Sequence, residues 1–280
     1  MAADQKVWFI TGVSRGFGKV LTEHALAKND IVIGTTRDGK ASFEADTRNV
    51  RVLPLEVTDS AAVRATIEKA HALHGRLDVV LNNAGYGLLG SVEEATEEQV
   101  NHLFDVNFHG TRRVVQAVLP YLRKQRSGHI LNITSIAGLA PGAGSGFYAA
   151  SKFAVEGFSQ SLAQEVAPLG IKVTLIEPGA FRTDFLSDRS IRNAAAEIAD
   201  YAPTAGAVQT ALAKMAGHQI GDPLKAAAAI FQITREPKPP LNLVLGSDAL
   251  RRTRERQAQL SADMQRFEGV TLGTDYPKGT

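Results

Sequence analysis

The 280-residue chain contains no cysteine, so neither a disulfide framework nor a thiolate metal site is available to it. Long apolar runs are missing too. No stretch approaches the roughly eighteen uninterrupted apolar residues that a spanning helix needs, so no membrane span is expected. The first residues lack a basic segment followed by an apolar run, so no secretory signal is read there and a cytoplasmic location is expected. Charge of one sign does not accumulate: the net charge is +2, which gives no electrostatic case for nucleic acid. The seven histidines do not join carboxylates at metal-ligand spacing, so no metal is expected. Linkers, internal repeats and low-complexity tracts are also absent. A single domain over 1–280, large enough to bury a full core, is therefore expected.

What remains is an alternation of short apolar runs and helical segments. The runs lie at 7–10, 31–36, 50–57, 77–81, 129–134, 171–177 and 241–245. Continuous apolar runs of this length suit strands buried on both faces of a parallel sheet. The helical segments between them argue for βαβ units and a doubly wound α/β fold. Helix starts are legible. Asp59 precedes an alanine-rich segment with Val63 and Ile67 on one face. Thr96 and Gln99 form a capping box for a long helix to about Arg126. Asp222 followed by Pro223 is an N-cap with proline at the first helical position. The stretch 183–221 is irregular and lies after a strand's carboxyl end, where it reads as a substrate lid or as a packed helical pair. A helical extension is expected over 247–280. Its run from Arg251 to Arg256 reads as a solvated face or a subunit contact.

Five residue groups carry chemistry. Tyr148 and Lys152 sit four apart, on one face of a helix predicted from Phe147 to Gln164, and Ser135 ends an apolar strand before them. An ammonium beside a phenol favours phenolate, and an acid-base tyrosine working near neutral pH needs such tuning. The turn Thr11-Gly12-Val13-Ser14-Arg15-Gly16-Phe17-Gly18 follows the first strand and opens a helix. Such glycines allow a tight turn and close backbone approach to a pyrophosphate at a helix N-terminus. Asn82-Asn83-Ala84-Gly85 ends a strand, Asn107 lies inside the long helix, and Pro178-Gly179 ends another strand. Taken in this order, from about Lys6 to Gly246, the motifs resemble those of the short-chain dehydrogenase/reductase family in its common, non-extended form.

That resemblance implies a Rossmann-type fold with a seven-stranded parallel sheet, and a nicotinamide cofactor. It places Gly12, Ser14, Arg15, Gly16, Phe17 and Gly18 under the phosphates. Thr36 and Arg37 end the second strand, where an NAD-selective site usually carries a carboxylate. Arg37, with Arg15 opposite, suits a 2′-phosphate, so NADP(H) is expected over NAD(H). Asp38 pointing inward instead would weaken or reverse that preference. Glu56 and Val57 are placed at the adenine, and Asn83, Ala84 and Gly85 under the adenosine ribose. Pro178, Gly179, Phe181 and Thr183 are placed at the nicotinamide, with Tyr148 and Lys152 also touching the cofactor.

By the same resemblance Tyr148 is the general acid/base. Lys152 lowers its pKa and bonds the nicotinamide ribose. Ser135 bonds the carbonyl oxygen, and Asn107 holds a water linking Lys152 to solvent. Read singly, Ser135 is a strand-end cap, Asn107 a bonded helix-interior residue and Lys152 a solvated helix lysine. The residues flanking this set are Leu88, Ala137, Gly138, Leu139, Phe147, Phe181, Phe185 and Leu186. They are mostly apolar and suggest a hydrophobic ketone, aldehyde or secondary alcohol as substrate. The rival readings are an epimerase or dehydratase of the same fold, and a non-catalytic NADP(H) sensor or scaffold. The outward faces of helices 96–126 and 147–168 suggest a homodimer or homotetramer.

Overall fold

The computed structural model describes residues 5–43 and 47–276; the ends of the expected domain and residues 277–280 of its C-terminal extension lie outside the described residues. Nine strands occur among the described residues: β1 (Val7–Thr11), β2 (Ile31–Thr36), β3 (Val50–Pro54), β4 (Val79–Asn82), β5 (Gly87–Leu89), β6 (Gly128–Ile133), β7 (Ile171–Pro178), β8 (Ile191–Asn193) and β9 (Asn242–Leu245). Seven form one parallel sheet in the order β3-β2-β1-β4-β6-β7-β9, while β5 and β8 pair separately. Strand order reverses between β1 and β4, which opens a crevice beyond their carboxyl ends.

The two sheet faces follow from the alternation along each strand. Val7 and Phe9 pack with Ile33, Val80 and Ile130 against α2 (Ser60–His74), α4 (Thr111–Gln125) and α5 (Gly146–Val166). Trp8 and Ile10 face the other way, with Val32, Val79 and Leu131, onto α1 (Gly16–Ala27) and α7 (Pro223–Ile233). A strand apolar at every position thus serves two helical layers, which is why these runs show no polar alternation.

The predicted caps are present. Asp59 accepts from the Ala61 and Ala62 amides, Thr96 and Gln99 close a reciprocal capping box, and Asp222 accepts from Leu224 and Lys225 ahead of Pro223. Two expectations are corrected. The third strand ends at Pro54 rather than residue 57: Leu55 N still donates to Thr36 O at 2.8 Å, and the chain then turns toward Asp59. The long helix is not uniform either. It runs as α3 (Glu97–Phe104), a π-helical turn (Asp105–Gly110) and α4.

The segment 183–221 holds α6 (Ala207–Met215) and also β8, whose parallel pairing with β5 ties the segment to the body. Gln99 fastens it further, donating to Asn193 O at 3.0 Å and accepting from Ala195 N at 3.0 Å. Glu94 accepts from Ile198 N at 2.8 Å, and Phe181 bridges Gly221 where the segment returns.

Candidate active site

The glycine turn is held by side chains behind it. Gly12 has a left-handed φ of 75°, and its amide donates to Thr35 O at 2.9 Å. The Asn83 amide nitrogen donates to Thr11 O at 3.0 Å and Gly12 O at 2.9 Å. In return Thr11 Oγ1 accepts from the backbone of Asn83 and Ala84, each at 3.0 Å. A Cβ on Gly18 would run into the Gly12 carbonyl and the Asn83 amide, so only glycine lets α1 start this close to β4. Gly16 also has positive φ, but nothing lies within 4 Å of where its Cβ would be. Helix α1 has no side-chain cap, so its first amides face this open cradle. A bound pyrophosphate fits that arrangement: free N–H groups, a helix N-terminus and room for an anion.

At the end of β2, Thr36 is buried and Arg37 exposed. Asp38 turns back on its own loop: its Oδ1 accepts from Thr36 Oγ1 at 3.0 Å and from Lys40 N at 3.1 Å. These bonds hold the carboxyl below its ordinary pKa. Arg15 lies near enough to Arg37 for the two charges to repel, and it also donates to Ser190 Oγ at 2.9 Å and Arg189 O at 2.7 Å. It therefore links the glycine turn to the segment 183–221. Val57 is buried beside Gly110, and Glu56 is exposed with its carboxylate accepting from Thr58 N at 3.2 Å.

Tyr148 and Lys152 both lie on the buried side of α5. The Lys152 ammonium donates to Ile133 O at 3.0 Å and stands 5.8 Å from the centre of the Tyr148 ring. Ser135 follows β6, and its hydroxyl accepts from Ala137 N at 3.1 Å, capping the short turn after the strand. Burial pushes the Tyr148 phenol up to about 12, and a hydrogen bond with Ser135 pulls it part of the way back. Burial lowers Lys152 to about 8, opposed by the charge of Glu156 one turn along. In this environment burial dominates the phenol, rather than the expected lowering by Lys152.

Asn107 sits in the π-helical turn. Its side chain is committed to Tyr86, accepting from the backbone N–H at 3.0 Å and donating to the carbonyl at 2.9 Å. It also donates to Ser151 Oγ at 3.2 Å. Asn107 thus fixes the chain after Gly85, whose backbone passes close to the Lys152 amine.

The residues expected to flank the catalytic set are mostly apolar, and several of them pack together. Ala137 and Tyr148 cluster with Tyr86, Leu88 and Leu103, and Phe147 and Phe185 pack on them. The rings of Phe185 and Tyr148 are 6.0 Å apart. Leu139 is not brought into this group; it packs with Ile136, Ala140 and Ala249 toward the C-terminal helix. Phe181 meets Phe17 edge-on at 5.2 Å, joining the glycine turn to the strand end at Pro178 and Gly179. Thr183 accepts from Phe185 N at 3.3 Å. A separate cleft of ≈ 490 Å³ lies beside α6, lined by residues including Glu94, Tyr201 and Lys214 and not by Tyr148. None of Ser135, Asn107, Tyr148, Lys152 or the glycine turn lines it.

Sequence reasoning did not single out Thr11, Tyr86, Ser190 or Glu156 as site residues. Thr11 was in view as the first residue of the glycine turn, and Glu156 follows Lys152 at the same four-residue spacing that joins Lys152 to Tyr148. Ser190 gave no local signal. Among the described residues no group of three or more His, Asp or Glu could hold a metal ion, and no helix is long and apolar enough to cross a membrane.

Comparison with known proteins agrees with this geometry. The family described as short chain dehydrogenase matches residues 6–194. The oxidoreductase BOA17 of Botryotinia fuckeliana is 37% identical over 273 residues, covering 96% of this chain and 99% of its own. The 3-ketodihydrosphingosine reductase of Bacteroides thetaiotaomicron is 40% identical over 241 residues, 86% of this chain and 88% of its own. A short-chain dehydrogenase from Streptomyces avermitilis superposes with a TM-score of 0.89 at 38% identity, over 96% of this chain and 100% of that one. Among solved structures of the same fold, ElxO holds NADP (TM-score 0.70, 28% identity, 88% of this chain and 99% of that one). A Burkholderia phymatum protein holds NAD (TM-score 0.79, 22% identity, 94% of this chain and 96% of that one).

Proposed function

The chain belongs to the short-chain dehydrogenase/reductase family of oxidoreductases, which work with a nicotinamide cofactor, and on that footing we propose that it reduces a hydrophobic ketone or aldehyde, or oxidises the matching secondary alcohol, with NADP(H). The observation that carries this reading is the placement of Tyr148, Ser135 and Lys152 together against an apolar cluster beside the glycine turn.

The cofactor, when bound, supplies or accepts the hydride. The chain manages one proton and the charge on one oxygen. In reduction, Tyr148 gives its phenolic proton to the carbonyl oxygen as hydride arrives at the carbon. Ser135 donates a hydrogen bond to that oxygen as charge develops there. Lys152 is predominantly ammonium at neutral pH even with its pKa lowered to about 8, so it stands ready to stabilise the phenolate left on Tyr148. Asn107 is a positioning residue: it holds Tyr86 and hence the Gly85 backbone against the Lys152 amine.

Two observations support NADP(H). One oxygen of the Asp38 carboxylate is engaged by Thr36 and Lys40 on its own loop, and Arg37 stands exposed beside it. The apolar lining, and a relative named for a ketone on a long-chain base, support a substrate with an extended apolar part. A homo-oligomer joined through the outward faces of α4 and α5 belongs to the same proposal.

Tyr148→Phe tests the central role. Turnover with a panel of apolar ketones and NADPH should fall at least about a thousandfold, in line with removal of a general acid. NADPH affinity, read by fluorescence titration, should change less than about threefold. Turnover within tenfold of the parent would move the proton chemistry elsewhere.

A further inference from the structure

Helix α8 (Ser247–Arg266) and the short α9 (Glu268–Leu272) leave the body of the protein. The root is anchored: Ala249 is fully buried, and Arg252 donates to the Ala140 carbonyl. From Arg254 to Tyr276 every residue is exposed. A helix without tertiary support is marginal in water, because helical stability in proteins comes mainly from packing an amphipathic face. This arm has such a face. Leu250, Leu260, Met264 and Phe267 share the alternating three-and-four spacing of a two-stranded seam, with Thr253 and Gln257 at the intervening positions. Leu260, Met264 and Phe267 are 48%, 59% and 51% exposed. Val270 and Leu272 beyond them are also exposed.

Charge along the arm says what covers it. The root carries Arg251, Arg252, Arg254 and Arg256 against Glu255, which Arg251 already holds at 2.9 Å. From Asp263 to Asp275 the outer part carries Asp263, Glu268 and Asp275 against Arg266, with Lys278 in the sequence beyond. Root and tip are therefore complementary to each other. We propose that α8 and α9 pair antiparallel with the same arm of a second copy of this chain, about a two-fold axis at Leu260. Such a pairing is self-complementary, as a two-fold contact must be. It sets Arg256 near Asp263, Arg252 near Glu268, and Leu250 near Val270 of the other copy. The two bodies then lie at opposite ends of the seam, roughly 30 Å apart at 1.5 Å of rise per residue over the length of α8. A parallel pair would bring the two arginine-rich roots together, which like-charge repulsion opposes. An anionic lipid surface is disfavoured by the excess of carboxylates on the outer arm.

This pairing goes beyond the hydride-transfer reading and does not depend on it. The absence of cysteine makes the test direct, since one introduced thiol can cross-link only to another copy. Leu260→Cys in the full chain should form a covalent dimer on mild oxidation, because residues on the axis come within disulfide reach. Ala258→Cys, on the opposite side of the helix, should not. Light scattering should show the parent's mass fall by half in Leu260→Asp, with the melting temperature of the body unchanged. Arg256→Asp should weaken association at least about tenfold, and adding Asp263→Arg should restore it. A mass unchanged by Leu260→Asp, a Leu260→Cys cross-link no faster than the Ala258→Cys control, or a monomeric parent that binds anionic vesicles would each overturn the proposal.

Discussion

Glu177 offers the sharpest test of the electrostatics behind the site. It lies on β7, fully buried, with one carboxylate oxygen accepting from the Asn242 side chain and the other without a partner. Burial pushes its pKa up to about 7, from 4.5. Glu156, beside Lys152, is also raised to about 7, by burial first and then by the nearby Glu177. The sign follows from linkage. Below pH 4.5 both folded and unfolded chains hold the Glu177 proton, and the group costs nothing. Between pH 4.5 and 7 the unfolded chain releases the proton while the folded chain keeps it, so stability falls as pH rises. Above pH 7 both are ionised and the whole difference, about 3 kcal/mol at ~1.4 kcal/mol per pKa unit, is lost to the folded state. Glu177→Gln removes the titration and leaves an amide that costs about 1 kcal/mol where its N–H groups lack acceptors. The variant should therefore be more stable than the parent by about 2 kcal/mol at pH 8.5, and less stable by about 1 kcal/mol at pH 4.5. At roughly 2–4 °C per kcal/mol for a chain of this size, the melting temperature should rise by about 4–8 °C at the higher pH and drop slightly at the lower. Thermal melts of both proteins at the two pH values decide it. An identical shift at both would show that Glu177 is not held neutral by burial, and the same account of Glu156 and Lys152 would lose its basis.

The remaining predictions concern the proposed cofactor side and the segment 183–221. Arg37→Ala should weaken NADPH by about 10–100-fold, the worth of a charge-assisted contact, and leave NADH nearly unchanged in paired titrations. Equal losses for both would remove Arg37 as the phosphate reader. Thr11→Val keeps the shape but orphans the Asn83 and Ala84 amides, at about 1–3 kcal/mol each, whereas Thr11→Ser should restore most of the lost melting temperature. Gln99→Ala deletes the two bonds that fasten residues 193 and 195. Limited proteolysis within 183–221 should then speed up severalfold, and an unchanged cleavage rate would show that β5–β8 pairing and the ties from Glu94 and Arg15 hold the segment without Gln99.

The physical reasons some of this was legible in the sequence also explain what was not. The central sheet strands were readable because they are buried on both faces and so form nearly unbroken apolar runs bounded by turn residues, while the edge strands β3 and β9, only partly buried, were readable from their β-branched and leucine content. The caps at Asp59, Thr96 and Asp222 were readable because capping is a local, few-residue interaction. The β5–β8 pair was not. Gly87-Leu88-Leu89 and Ile191-Arg192-Asn193 are three residues each, and their pairing joins positions about a hundred residues apart, so no local pattern announces it. The π-helical turn was hidden for a related reason. One extra residue in a turn shifts the helix face without changing residue types, and Asn107 is set by that shift to reach Tyr86 rather than the helix exterior.

The same distinction separates the site's chemistry from its coupling. Tyr148 and Lys152 announce themselves because four residues on a helix are one face, and the Gly12, Gly16 and Gly18 spacing is a property of the turn itself. Arg15 is different. Its place in the turn suggested a phosphate partner, yet its guanidinium bonds Ser190 and the Arg189 carbonyl, a contact across about 175 residues that only the folded segment creates. That contact has a consequence for cofactor entry. The arginine proposed to meet the phosphates already spends its Nε and Nη2 donors on residues 190 and 189, so a nucleotide phosphate that takes this edge of the guanidinium must compete with two neutral acceptors. Those bonds are charge-assisted on the arginine side only, whereas a phosphate adds an opposite charge and a bidentate fit, so the phosphate should win and release the Ser190 end. Arg15→Met should then loosen 183–221 in the free protein while weakening the nucleotide. Hydrogen exchange should show faster labelling of residues 187–191 in the variant alone, and in the parent only after NADPH is added. Labelling of those residues that slows in the parent on NADPH binding would mean that Arg15 holds phosphate and segment together rather than exchanging one for the other.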